Sequence, residues 1–288
     1  MAREIVVKNS RLFKRPLPIS QLIESIGCGY GVMDEHFRLS LNEMSNDGPF
    51  VIFDKQHIGR GIQIFDFDNS KEIRLRLPYP STKYDVDLLY TFVKEIALHW
   101  KTNKIDVVDE TVIPLSDIDK FREADYEMNI NILVNPFSFF SSSSLTFPCA
   151  IFPISFSEEQ LQACSSDYES FASLLHEKQS LLPFFSRPMF ITLGEEEISS
   201  VYVVIADGYF ILPKVPEMKY KEDGVEQICS TARVVITNLF PDEEISKMDF
   251  NQFMASVPDN KKSEFDSKGI LVQPLSEAEL RQIFRPNK

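Results

Sequence analysis

Apolar and polar residues alternate in short runs over the first quarter of the chain. Glu4 to Lys8, Phe37 to Leu41, Phe50 to Phe53, Gly61 to Phe67 and Glu72 to Leu77 therefore read as strands, because an extended backbone turns successive side chains to opposite faces. Asp68-Asn69-Ser70-Lys71 reads as the hairpin turn between the last two, since Asp and Asn tolerate left-handed backbone and bond their own main chain. The period then changes. From Lys83 to Lys101, Leu88, Leu89, Phe92, Val93, Ile96, Ala97 and Trp100 recur at three- and four-residue steps, the stripe of a core helix. Thr82 or Ser81 caps its start, Asp85 and Asp87 suit the positive end of its dipole, and Lys101 and Lys104 suit the other end. A shorter helix is expected over Gln21 to Ile26, capped by Ser20 and stopped at Gly27.

Further along, strands are expected near Ile105 to Val108, Thr111 to Ile113, Met128 to Val134 and Leu145 to Pro153, with a helical turn from Asp117 to Phe121 capped by Ser116. Two helices follow, Glu158 to Cys164 with a capping box at Ser157 and Gln160, and Tyr168 to Lys178 capped by Asp167. A proline-rich connector from Leu182 to Pro188 leads to strands at Met189 to Leu193 and Ile198 to Ala206. Asp207-Gly208 then reads as a hairpin turn into Tyr209 to Leu212. A buried strand at Ala232 to Thr237, a helix around Phe250 to Ser256, a strand at Ile270 to Val272 and a helix from Glu277 to Phe284 with a capping box at Ser276 and Glu279 complete the pattern. Strands outnumber helices and show little regular alternation with them, which predicts an α+β fold with mostly antiparallel sheets and a few packed helices. The length accommodates two halves, residues 1–125 and 126–288, or one continuous domain.

Charge narrows the partners. The 288 residues carry a formal charge of −13, which sets a repulsive field before a phosphate backbone, so nucleic-acid binding is disfavoured. The basic exception is the N-terminus, where Arg3, Lys8, Arg11, Lys14 and Arg15 face only Glu4; a solvated strand and turn is favoured there over an anion site. Met128 to Ser157 contains no charged residue, but Pro136, Pro148, Pro153 and the serines 141–144 break any spanning helix, so no membrane segment is expected. No secretory signal is expected at the start, no glycosylation sequon occurs, and Cys28, Cys149, Cys164 and Cys229 are widely spaced without a CxxC pair. These features point to a cytoplasmic protein with reduced thiols.

The candidate chemistry is thin. Gly27-Cys28-Gly29-Tyr30-Gly31 follows a helix instead of opening one, so it reads as a stop and loop, not a dinucleotide site. Gly59-Arg60-Gly61 reads as a strand entry or bulge. Asp66, Asp68 and Ser70 begin like a calcium loop, but Lys71 and Leu77 stand where that loop needs glycine and glutamate. His36, His57, His99 and His176 form no metal-binding spacing, so no metal or cofactor is expected. His57, with Asp54 and Arg60 close in sequence, is the best general-base candidate, although a turn residue remains the preferred reading. Phe137, Phe139 and Phe140 before the serine run, and Phe184 and Phe185 between prolines, are candidate binding anchors in loops; covering the core is the competing reading.

Three stretches carry a family likeness: IVVKNSRLF at the start, GRGIQIFDFD followed by LRLPYPSTKYDVDLLYTFVKEIALHW, and LVQPLSEAELRQIF near the end. In that order they resemble the bacterial domain of unknown function 4299 family over nearly the whole chain. The resemblance implies a bacterial protein folding over its full length and brings no activity, cofactor or site residue. The expected role is accordingly a non-enzymatic binding protein whose acidic surface suits a basic protein. The alternatives are a hydrolase-type enzyme whose residues meet only in the fold and a self-assembling structural subunit.

Overall fold

In the computed structural model, the runs of alternating residues lie side by side as one eight-stranded antiparallel sheet. The structure describes all residues except 36, 46–47, 109–110, 140–143, 166, 193–197, 223 and 286–288, with the backbone alone at 137, 139, 144, 165 and 222. The sheet comprises β1 (Ala2–Lys8), β2 (Gly29–Met33), β3 (Leu39–Leu41), β4 (Phe50–Phe53), β5 (Ile62–Phe65), β6 (Glu72–Pro78), β7 (Lys104–Val107) and β8 (Thr111–Pro114). Their order is β3-β2-β4-β5-β6-β1-β7-β8. On β6, Ile73, Leu75 and Leu77 are fully buried and Arg74 is exposed, as the two-residue period requires. Helix α2 (Lys83–Trp100) lays Leu89, Phe92, Val93 and Ile96 into one core with Ile5, Val7, Ile64 and Leu75. Burying each such side chain contributes about 1.5–3 kcal/mol.

Helix α1 (Ile19–Ile26) starts earlier than expected: Pro18, not Ser20, is the N-cap, and no side chain caps it. Gly27 ends it in the left-handed conformation. The loop expected at the following glycines is instead β2, where a side chain would not fit. A Cβ on Gly29 would lie 2.3 Å from the Phe53 ring, and one on Gly31 would lie 2.3 Å from the Ser40 carbonyl.

The larger departure is α3 (Ile118–Val134), one continuous helix where a short turn and a strand at Met128 to Val134 were expected. Its inward residues are Asp125, Asn129, Ile132 and Leu133, spaced as a helix requires, but two of them are polar and hide the stripe. After α4 (Pro136–Phe139), the uncharged segment forms the hairpin β9 (Ser144–Phe147) and β10 (Ile154–Ser157) instead of one strand. Helices α5 (Glu158–Ser165) and α6 (Tyr168–Ser180) match the expected pair, with Ser157 and Asp167 capping as read. Among the described residues no helix is long and apolar enough to cross a membrane.

The chain divides into two compact units between Ser180 and Leu181, whereas residue 125 lies inside α3. The second unit holds β11 (Phe184–Phe185), β12 (Met189–Thr192), β13 (Ile198–Val203), β14 (Phe210–Pro213), β15 (Lys219–Glu222), β16 (Val225–Ile228), β17 (Thr231–Phe240), β18 (Glu243–Asp249), α7 (Phe250–Ser256), β19 (Lys262–Glu264), β20 (Gly269–Val272) and α8 (Glu277–Phe284). These strands form sheets β11-β14-β20-β19 and β12-β13-β17-β18 and the hairpin β15-β16. The turn at Asp207-Gly208 does not close a hairpin, because β13 and β14 belong to different sheets. Two neighbour pairs, β11 with β14 and β13 with β17, are parallel. Tyr202, Phe210, Val234, Phe250, Phe253 and Leu280 form the centre of this unit's core.

Candidate functional site

The N-terminus of α2 gathers the candidate residues. Four backbone amides at a helix start lack helical partners, and Thr82 answers one by accepting from the Asp85 N–H at 3.2 Å. Asp85 returns the bond, accepting from the Thr82 N–H at 3.0 Å and the Thr82 hydroxyl at 2.8 Å. The same carboxylate also accepts the Arg60 N–H at 2.9 Å and the Gly61 N–H at 2.8 Å. Gly59-Arg60-Gly61 thus offers its amides as a phosphate cradle would, but an internal carboxylate occupies them. Glycine is required at position 59 because a Cβ would stand 2.3 Å from Asp85 Oδ2. Burial raises the Asp85 carboxyl above the usual carboxylate range, against hydrogen bonds that favour its ionised form.

Arg60 points inward. Its Nε donates to the Pro148 carbonyl at 2.9 Å, its Nη1 donates to the Pro80 carbonyl at 2.8 Å, and its guanidinium lies 5.0 Å from the Phe147 ring centre. With 6% exposure it joins segments inside the fold. Gln179 of α6 reinforces the junction: its side-chain amide donates to the Gly59 carbonyl at 2.8 Å and accepts the Ile151 N–H at 2.8 Å.

Asp54 and His57 lie on the outer side of this junction, in a solvated turn. Asp54 Oδ1 accepts the Gln56 N–H at 2.7 Å, and Asp54 Oδ2 stands 3.3 Å from His57 Nδ1. Their side chains are 35% and 40% exposed. The fold adds neighbours that spacing in the sequence could not show. His57 stacks on Tyr84 with ring centres 3.7 Å apart, and the His176 ring lies 6.4 Å away. Tyr84 donates its hydroxyl to Glu169 at 2.7 Å, and Lys83 pairs with the same carboxylate. His176 Nδ1 accepts the Ile58 N–H at 3.1 Å and so holds the backbone. Asp54, His57 and Arg60 therefore do not converge: the first two meet at the surface while the third is buried on other duties.

A second polar centre is structural. Asp125, fully buried on α3, accepts from Arg3 Nε at 2.9 Å, the Tyr79 hydroxyl at 2.6 Å and the Tyr90 hydroxyl at 2.6 Å. Desolvation, then the Asp125 charge, pushes both tyrosines above their ordinary range, so they stay protonated donors. The side-chain amide of Asn129, one turn along, donates to the Asp125 carbonyl, and its oxygen accepts the Ser81 N–H.

All four cysteines are buried and none is in a disulfide, and burial pushes the Cys28 thiol up to about 12, which removes it as a thiolate nucleophile. Among the described residues no group of three or more His, Cys, Asp or Glu side chains could hold a metal ion. At the calcium-like segment, the Asn69 N–H donates to the Asp66 carbonyl at 2.9 Å and the Lys71 N–H to the Asn69 side chain at 2.8 Å, forming a hairpin turn. Phe184 and Phe185 are half-buried on β11, not in a loop, and Phe184 packs on the second unit's core. Phe137 and Phe139 lie on α4 with side chains outside the described set, and Phe140 and His36 lie outside the described residues.

The architecture defines an α+β protein with mostly antiparallel sheets, in which buried carboxylates knit loops to helices. The chain belongs to the family described as domain of unknown function (DUF4299), whose family model matches residues 2–283. No curated protein and no solved structure matches it.

Proposed function

We propose that the chain is a non-enzymatic binding protein of the bacterial cytoplasm whose acidic exterior engages a basic protein. One observation carries this reading: the buried polar groups Asp85, Arg60 and Asp125 have structural employment. Asp85 caps a helix and two loop amides, Arg60 bridges carbonyls, and Asp125 is saturated by Arg3, Tyr79 and Tyr90. The chain as a whole carries 43 acidic against 30 basic side chains, an excess suited to steering a cationic partner. Apolar anchorage comes from Phe184 and Phe185 together with Met189 and Ile191 on the edge strand β12, which are 42% and 40% exposed. Capture of a lysine- and arginine-rich partner on immobilised protein, weakening steeply as salt is raised, is the expected result. Capture indifferent to salt rejects the electrostatic part.

The hydrolase reading rests on the His57 and Asp54 pair, which has the form of a base and the carboxylate that orients it. Ester or phosphoester turnover abolished by His57→Ala would replace the binding reading. Equal background rates in both proteins would remove the hydrolase.

A further inference from the structure

The N-terminal cations do not behave as one solvated run. Arg3 pairs with buried Asp125, and Lys8 pairs with Asp106 at 3.0 Å, which leaves Arg11, Lys14 and Arg15 with no ion pair among the described residues. These three sit on a loop fastened from inside by one residue. Asn9 is 3% exposed; its side chain donates to the Ser70 carbonyl at 2.8 Å and the Arg15 carbonyl at 3.3 Å and accepts the Arg11 N–H at 3.0 Å. The loop is thereby held in one shape at both of its cationic ends.

Held this way, the loop walls a pocket of about 730 Å³ in the first unit, whose other wall is the end of α2. Arg11, Arg15 and Lys101 line it together with Leu12, Phe13 and Trp100, and among the described residues no carboxylate lines it, in a chain that carries 43 of them. Leu12 and Phe13 are 90% and 80% exposed, an unusual state for such side chains on a stable, fastened loop. Trp100 is 1% exposed, and its indole N–H has no acceptor among the described residues. Lys101 alone would answer the negative end of α2, and its own N–H already bonds the Ala97 and Leu98 carbonyls. That accounts for neither arginine.

We propose that this pocket is a binding site for a phosphate-bearing ligand. Two arginines without an ion pair among the described residues, with Lys101 beside them, suit an anion with more than one charge, and arginine forks match the oxygens of a phosphate. Leu12 and Phe13 then cover the apolar body that carries it. The site has the opposite sign to the surface invoked for the basic partner and stands apart from that reading. The phosphate can belong to a free small molecule or to a lipid headgroup that ends in a phosphomonoester, and both present a terminal phosphate to the pocket.

Trp100 is the only tryptophan in the chain, so all tryptophan emission comes from the end of α2 that walls this pocket. Full-length protein is titrated with inorganic pyrophosphate in one arm and with phosphatidylcholine vesicles containing phosphatidic acid in the other, with chloride at matched ionic strength as the control and calorimetry alongside. The expected result is a saturable change in one arm that chloride does not reproduce, and an affinity weakened roughly tenfold or more in the Arg11→Gln, Arg15→Gln double variant. Both substituted side chains are exposed, so that variant folds. Saturation by pyrophosphate assigns a free ligand, and saturation by vesicles alone assigns a headgroup. Heat and emission unchanged in both arms, or equal affinity in the double variant, overturns the site.

Discussion

Removing the Asp125 carboxylate tests the internal framework most directly. In Asp125→Ala, Arg3 loses its partner and the Tyr79 and Tyr90 hydroxyls lose their acceptor at once, all at a position with 0% exposure. Breaking a buried pair from one side costs about 3–5 kcal/mol, because the remaining charge and donors stay desolvated. For a unit of this size each kcal/mol moves the melting temperature by about 2–4 °C, so a fall of roughly 6–20 °C is expected. The pH profile gives an independent check. Both tyrosines have folded pKa values raised above the ordinary 10, so the folded state holds their protons more tightly than the unfolded chain does. Their contribution is complete below that value and drains away as pH climbs beyond it. Wild-type protein should therefore lose stability steeply in alkali, and Asp125→Ala should show a shallower decline from its lower starting point. Thermal melts followed by circular dichroism between neutral and strongly alkaline pH measure both quantities. A variant melting within about 1 kcal/mol of wild type, the spread of an ordinary substitution, would refute the assignment of this network as a structural keystone.

Gly59→Ala should cost roughly 2–4 kcal/mol in denaturant titration, since its methyl group displaces Asp85 from the amides it holds. Asn9→Ala should lower stability by about 1–3 kcal/mol and raise amide exchange across residues 10–16, while the circular dichroism of the sheet stays unchanged. The Glu279 carboxyl in the last helix is held down to about 2, first by the Ser276 N–H and then by Lys261 and the Ser276 hydroxyl. Its contribution is present above the ordinary glutamate value and disappears as pH falls from there toward 2, so Ser276→Ala, which keeps the N–H and removes only the hydroxyl, should flatten the acid limb of the stability curve in part. Native protein should resist Ellman's reagent and react at four thiols only after unfolding, as four buried cysteines require.

Sequence pattern was sufficient wherever one period dominates and the polar residues are local. The β6 alternation, the α2 stripe and the caps at Thr82, Ser157, Asp167 and Ser276 all depend on neighbours within a few positions, and each appears where the residues placed it. Helix α3 was hidden because Asp125 and Asn129 occupy inward positions that a hydrophobic count scores as exposed. Their partners, Arg3, Tyr79, Tyr90 and Ser81, lie 122, 46, 35 and 48 residues away, and only folding brings them near. Gly29 and Gly31 misled for a related reason, since the need for glycine comes from the approach of Phe53 and Ser40 across strands. The same physics separated Asp54 and His57 from Arg60, six residues apart at most in the chain but divided between solvent and core. It also joined the residue 10–16 loop to the end of α2, turning a basic run into one wall of a pocket. Local periodicity and capping are written in adjacent residues, whereas burial, and with it the partner each charge must find, is decided by contacts that exist only once the chain has folded.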